Sequence, residues 1–331
     1  MSTTTDDPLA LGDAFYVSQG RRNRRATNAA QRKWLQADAS DIRGWFDANA
    51  LDLVVPVLQA MEASAGAAQT YVGTQALAQG VAAPTAEIAP IAFTSDLSAA
   101  TSMLYSASTL TATSAIAQGV GSQIALAIAA RAVTRLVTTM VADAAREATQ
   151  ATMVSSRFSG YVRMLRLPSC KRCVVQAGKY FRWNTGFERH PKCDCVHIPA
   201  QEAHADDLRV NPLAAIRSGK VTDLNRADTA AILDDGADIS QVINAHRGLS
   251  TADVFGQRMQ ITNEGVTRRG IAYGAMGQAG YVTRQGEMLA AGQRYATWRA
   301  PRLTPTEIYR MAENKSDALR LLKLYGYLLP D

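Results

Sequence analysis

Histidine is nearly missing from this chain. None precedes His190, and only four occur in all 331 residues. Cysteine is equally scarce at four, and aromatic residues make up 7%. Each shortage excludes something. There is no H-E-x-x-H helix, no G-x-S-x-G elbow, no phosphate loop ending in G-K-[ST] and no dinucleotide fingerprint, so the sequence makes no positive case for an enzyme and nominates no catalytic residue. Few aromatics with abundant alanine suit packed helices better than a sandwich or barrel. The most apolar run, Ala115 to Ala130, is broken by Gln118, Gly119, Gly121 and Gln123 and closed by Arg131. It is too short and too polar to read as a membrane span. The opening MSTTTDDPLALGDAFY is acidic and lacks an apolar core, so it does not read as a signal peptide. The expectation is a soluble chain, cytosolic when made.

What is present is concentrated. All four cysteines fall within residues 157–199, as Cys170-x-x-Cys173 and Cys193-x-Cys195, with His190 and His197 beside the second pair. A thiol pair followed about twenty residues later by another presents four soft ligands to one tetrahedral ion. On a strand, residues two apart share a face, so Cys193, Cys195 and His197 can point the same way. The residues read as a structural zinc site held by Cys170, Cys173, Cys193 and either Cys195 or His190. Two disulfides are the competing reading, which a reducing cytosol disfavours. A full ligand set leaves no open position for a catalytic water. The run Pro168-Ser169-Cys170-x-x-Cys173 superficially resembles nucleobase deaminases, but those need an upstream H-x-E that this chain lacks.

The run Arg166-Leu-x-Ser169-Cys170-x-Arg172-Cys173, then Gly178, then Phe187-x-Arg189-His190-Pro191-x-Cys193-Asp194-Cys195, closely resembles the signature of the Mu F-like minor head proteins of tailed bacteriophages. The stretches Leu233–Asn244, Ile261–Gly270 and Arg302–Ala312 look like the downstream part of the actinobacteriophage branch of that family. The first 150 residues match only in style, as a helical, alanine-rich leader. The resemblance implies a minor capsid protein in the virion, inside the head near the portal. It would act in procapsid assembly and in DNA packaging or ejection. The implied partners are the portal protein, the major capsid or scaffold protein, and packaged DNA. Some relatives in the branch are described as capsid maturation proteases, which is the alternative the resemblance brings.

Charge supports a contact surface. The net charge is +6, and residues 160–192 carry eight Lys/Arg against Glu188 alone. Arg163, Arg166, Lys171, Arg172 and Lys192 are the candidates to face the portal or DNA. A second cluster, Arg21, Arg22, Arg24, Arg25, Arg32 and Lys33, reads equally well as a solvated helix face.

The expected fold is mainly α with a small β hairpin. A helical leader over 1–156 precedes a zinc-knuckle α+β domain over 157–248, an extended, partly irregular C-terminal region that begins as a basic glycine-rich arm with a little strand over 249–303, and a helical hairpin over 304–331. Apolar spacings of three and four mark a helix over 41–79, which Pro56 should kink or divide. A second helical block spans about 95–156, and strands are expected near 174–181 and 195–198. Beyond them Asn211-Pro212 starts a helix, and Asp223 falls in the first turn of another. Asp238 with Gln241, and Thr304 with Glu307, spell capping boxes. His204 and His246 sit among polar residues, which favours surface or capping roles.

Overall fold

The computed structural model describes residues 7–184, 195–208, 210–254, 256–280, 287–288, 297–298 and 301–329. The first five helices are α1 (Pro8–Trp34), α2 (Ile42–Ala78), α3 (Leu97–Tyr105), α4 (Thr111–Ala117) and α5 (Ser122–Val154). Then come β1 (Gly160–Met164), β2 (Ser169–Cys170), α6 (Lys171–Gln176), β3 (Tyr180–Arg182), β4 (Val196–Ala200), α7 (Pro212–Arg217), β5 (Val221–Thr222), α8 (Arg226–Leu233) and α9 (Ile239–Ala245). The last elements are β6 (Leu249–Val254), β7 (Gln257–Thr262), α10 (Ile271–Gln278), β8 (Glu287–Met288), β9 (Thr297–Trp298), β10 (Arg302–Leu303), α11 (Pro305–Met311) and α12 (Lys315–Leu324). The chain is mostly helical with a few small sheets. It forms two compact units that interleave in sequence, 1–165 with 178–210, and 166–177 with 211–331. The segment grouped above as 157–248 therefore contributes to both.

The first unit is built on α1, α2 and α5. Asp7 and Asp41 cap the first two through their carboxylates, accepting from the N–H groups of Leu9 and Gly44 at 2.9 Å. Alanine allows the axes to approach closely: Ala26, Ala30, Ala129, Ala130 and Ala144 are buried together with Phe46, Leu53, Val57, Val133 and Val137. Trp34 is fully buried, and its indole N–H donates to the Leu126 carbonyl at 3.1 Å, joining α1 to α5. Pro56 does not divide α2. It removes one ladder N–H, but Leu53, Val54 and Val57 around it bury in one core, and that packing holds the helix through the lost bond. The second helical block is interrupted instead by a π-helical turn over Ser106–Leu110, which buries Ser108 and Thr109. By length and composition α2 and α5 could each cross a bilayer, a criterion that core helices of soluble proteins also meet.

The sheet of this unit has the order β3-β1-β4, all antiparallel. Every residue of β1 and β4 is buried, so the usual in–out alternation is lost. One face carries Val162, Met164, Val196 and Ile198 against Leu11, Phe15 and Tyr16 of α1. Tyr161 on the other packs with Val72 and Ala76 of α2 and Met153 of α5. Gly160 is obligatory where the strands cross, because a Cβ there would run into the Phe181 carbonyl. β4 is an edge strand, yet its outer side is not open. The carbonyls of Cys195, His197 and Pro199 accept from Arg146 Nε at 3.1 Å, the Tyr71 hydroxyl at 3.1 Å and Gln79 Nε2 at 2.7 Å. Alternate residues point the same way, so three donors from two helices serve one edge.

The second unit contains two short sheets, β2 parallel to β5 and the antiparallel set β10-β7-β6, and a separate pairing of β8 with β9. Around them pack the short helices. Several punctuation marks hold: Asn211 caps α7 and Asp238 caps α9 through their side chains. Others differ. The cap of α8 is Asn225, and Asp223 lies before the helix with a left-handed φ of 67°. Residues 174–176 end a helix rather than start a strand. The arm expected to be partly irregular with a little strand contains a regular hairpin, β6 and β7, followed by α10. Arg302 holds this unit together. Its guanidinium, 1% exposed, donates to the Tyr325 carbonyl at 2.9 Å, the Glu264 carbonyl at 2.7 Å and Gln241 Oε1 at 3.2 Å, and lies 4.3 Å from the Tyr327 ring centroid. Gly265 (φ 75°) gives it room, since a Cβ there would sit 2.9 Å from Nη1.

Arg302→Met strands three acceptors from three segments, so it should destabilise the full-length protein by about 3 kcal/mol in urea unfolding. Burial pushes the Tyr327 hydroxyl up to about 12, with Arg302 pulling the other way. The folded state thus favours the neutral phenol, and stability present below the ordinary tyrosine value of about 10 is lost as pH rises toward the folded value. Alkaline titration at the tyrosinate band should show Tyr327→Phe removing part of that loss.

Candidate metal centre and basic surface

Cys170 and Cys173 share one turn. Cys170 closes β2, held by the Ser169–Val221 pairing, and its extended backbone (φ −78°, ψ 156°) makes it the N-cap of α6. Cys173 follows in the first turn, 2% exposed, while Cys170 is half-buried. Residues three apart on a helical turn lie on one side, which is the arrangement a C-x-x-C metal ligand pair needs. Lys171 between them is half-buried and not a solvated surface charge. Burial holds its ammonium below the ordinary lysine value, an effect opposed by Asp228 and then Asp223.

Asp228 itself is fully buried in the first turn of α8, and its Oδ2 meets His246 Nε2 at 2.7 Å. Asp228 Oδ1 has no hydrogen-bond partner among the described residues. Sequence reasoning missed this pair. Eighteen residues separate the two, and nothing local marks either as buried.

Cys195 belongs to the other unit, immediately before β4. Its sulfur lies 3.4 Å from Arg163 Nη2. His197 is buried and stacks on Tyr161 at 4.0 Å, and Tyr161 stacks on Phe181 at 5.5 Å. The register pairs Arg163 with His197, and Arg163 also reaches Cys195. Cys195 and His197 therefore do share a sheet face, as period-two geometry requires. A cleft of about 340 Å³ between α1 and α5 reaches this point, lined among others by Gln19, Asn23, Arg24, Thr138 and Arg146.

Two of the five metal candidates, His190 and Cys193, lie outside the described residues, as does Lys192 of the basic set. Among the described residues no three His, Cys, Asp or Glu side chains gather to hold an ion. The basic set also divides. Arg163 is 2% exposed, so it cannot face a partner. Both faces of β1 are covered, and a charge counted along the sequence says nothing of which side of a strand it occupies. Arg166 is half-exposed and Arg172 exposed. Comparison with protein-family models, curated proteins and solved structures returns no match to this chain.

Arg163→Met should cost about 3 kcal/mol of stability by chemical denaturation, because a buried guanidinium is lost from a covered strand. Arg172→Glu should stay within about 0.5 kcal/mol of the parent, as exposed positions do.

Proposed function

We propose that this chain is a minor capsid protein of a tailed bacteriophage, sited inside the head at the portal vertex and present in the host cytoplasm during assembly. There it takes part in procapsid assembly and in DNA packaging or ejection. The observation that carries the reading is the paired motif Cys170-x-x-Cys173 with His190-Pro191-x-Cys193-x-Cys195, whose residues and spacing resemble the Mu F-like signature.

The same motif supports a structural zinc bound by Cys170, Cys173, Cys193 and either Cys195 or His190. Two of the donors, Cys170 and Cys173, share a turn, and soft sulfur and imidazole donors suit this ion. When bound, the metal supplies fold stability. The zinc-knuckle domain expected over 157–248 is part of this proposal.

Arg166 and Arg172, with Lys192, are the charges this reading assigns to the portal or packaged DNA. Arg163 leaves the set because it is buried, and Lys171 because it is half-buried among acids.

Two measurements test the proposal. Elemental analysis of the purified full-length protein should find one zinc per chain, lost in Cys170→Ser and Cys173→Ser. Near-zero zinc with oxidised thiols contradicts the metal reading. Labelled protein in assembled particles should localise to the portal vertex. Distribution over the shell, or absence from particles, contradicts the functional one.

A further inference from the structure

Among the described residues, the antiparallel sheet of the second unit is closed on one side and open on the other. Asn263 donates to the Gly248 carbonyl at 3.1 Å, and the register continues with Ser250 opposite Ile261, Ala252 opposite Met259 and Val254 opposite Gln257. Bonded and non-bonded pairs alternate in such a ladder. Ser250, Ala252 and Val254 thus bond inward to β7, while Leu249, Thr251 and Asp253 aim their N–H and C=O groups at the outer edge.

The far side of β7 shows how this fold treats an edge it means to close. Thr262 pairs with Arg302 of β10, and the Gln260 N–H is taken by Glu307 Oε1 at 2.9 Å. On β6 no described residue bonds the outward backbone groups. Leu249, Thr251 and Asp253 are all exposed. Edge strands that must stay single are blunted with charged side chains, lysine above all, with proline or with a bulge. β6 reads Leu-Ser-Thr-Ala-Asp-Val, carries a single charge, Asp253, and no lysine or proline, and pairs without interruption along its six residues.

We propose that β6 is a self-association edge, and that its occupant is the β6 strand of a second copy, antiparallel across a two-fold axis at Thr251. The strand is self-complementary in that register. Thr251 meets Thr251, a favourable cross-strand pair. Asp253, the strand's one charge, falls opposite Leu249, so the two carboxylates sit at opposite ends of the junction and never meet. Each outward N–H and C=O at positions 249, 251 and 253 gains a partner, and the three-stranded sheet continues through the axis into its copy. Closed two-fold dimers are the commonest soluble assemblies, and an isologous contact of this kind does not propagate.

Sedimentation velocity on the full-length protein over a range of micromolar concentrations tests this. The wild type should pass from monomer to dimer, and the backbone amides of 249, 251 and 253 should slow in hydrogen exchange as it does. Thr251→Pro removes the central outward N–H, a substitution edge strands tolerate, and should raise the dimer dissociation constant about tenfold or more. Thr251→Lys sets like charges across the axis and should do the same; it decides the matter if the proline variant fails to fold by circular dichroism. Thr251→Val keeps the backbone groups and should dimerise like wild type. A wild type that stays monomeric throughout overturns the proposal. So does a dimer unaffected by both the proline and lysine variants, or one in which those three amides exchange as in the monomer.

Discussion

Three hydrogen bonds to one strand edge set the architecture of the first unit. The carbonyls of Cys195, His197 and Pro199 leave the sheet on its outer side, where bare backbone would have to stay in water. Arg146 from α5, with Tyr71 of α2 and Gln79 at its C-cap, meets them. Leaving one such buried acceptor unmet costs about 1–3 kcal/mol, so the two longest helices and the strand constrain each other's position. Proline at 199 costs nothing here, because the missing N–H would face outward from an edge strand. Gln75 extends the row by donating to the Pro8 carbonyl at 2.8 Å, which ties in the start of α1.

The second unit uses the same device with one residue. Arg302 spreads its donors over backbone and side-chain acceptors from α9, the segment after β7 and the C-terminal segment. Tyr327 seals the arrangement by donating to the Leu303 carbonyl at 2.9 Å. Both units are rich in small side chains that bury little area each, and dispersed hydrophobic contact fixes geometry poorly when every contact is alanine-sized. Side-chain donors reaching distant carbonyls supply the register that a jigsaw of large side chains supplies elsewhere.

Much of this is legible where the signal is local. The helix over 41–79 and the caps at Asn211 and Asp238 rest on neighbours within a few residues. What failed depends on distant ones. Thr304 and Glu307 spell a capping box, but Glu307 is engaged by Gln260 and Arg310, and the buried Thr304 Oγ1 has no hydrogen-bond partner among the described residues. The interleaving of the two units follows from pairing Ser169 with Val221, fifty-two residues on, which no periodicity announces. The regularity of the β6–β7 hairpin is hidden in the sequence because only Gly256 marks its turn and mostly polar residues are exposed along β6. In the candidate site, the cysteine spacing and the shared face of Cys195 and His197 were readable. The burial of Arg163 was not, because β1 is covered on both sides by helices that lie far away in the chain.

These observations change what a metal would be asked to do. A small zinc module without a core takes its shape from the ion. β4 instead stands between β1 and two helices, so the backbone beside Cys195 is fixed by hydrogen bonds and packing. The direct test is hydrogen exchange on the full-length protein with and without an excess of chelator, read at Val196, Ile198 and Ala200, which pair with β1. The account predicts that all three stay protected in chelator. Exchange at unprotected rates in chelator would contradict it, and would mean that a bound ion, not the helix donors, holds the strand.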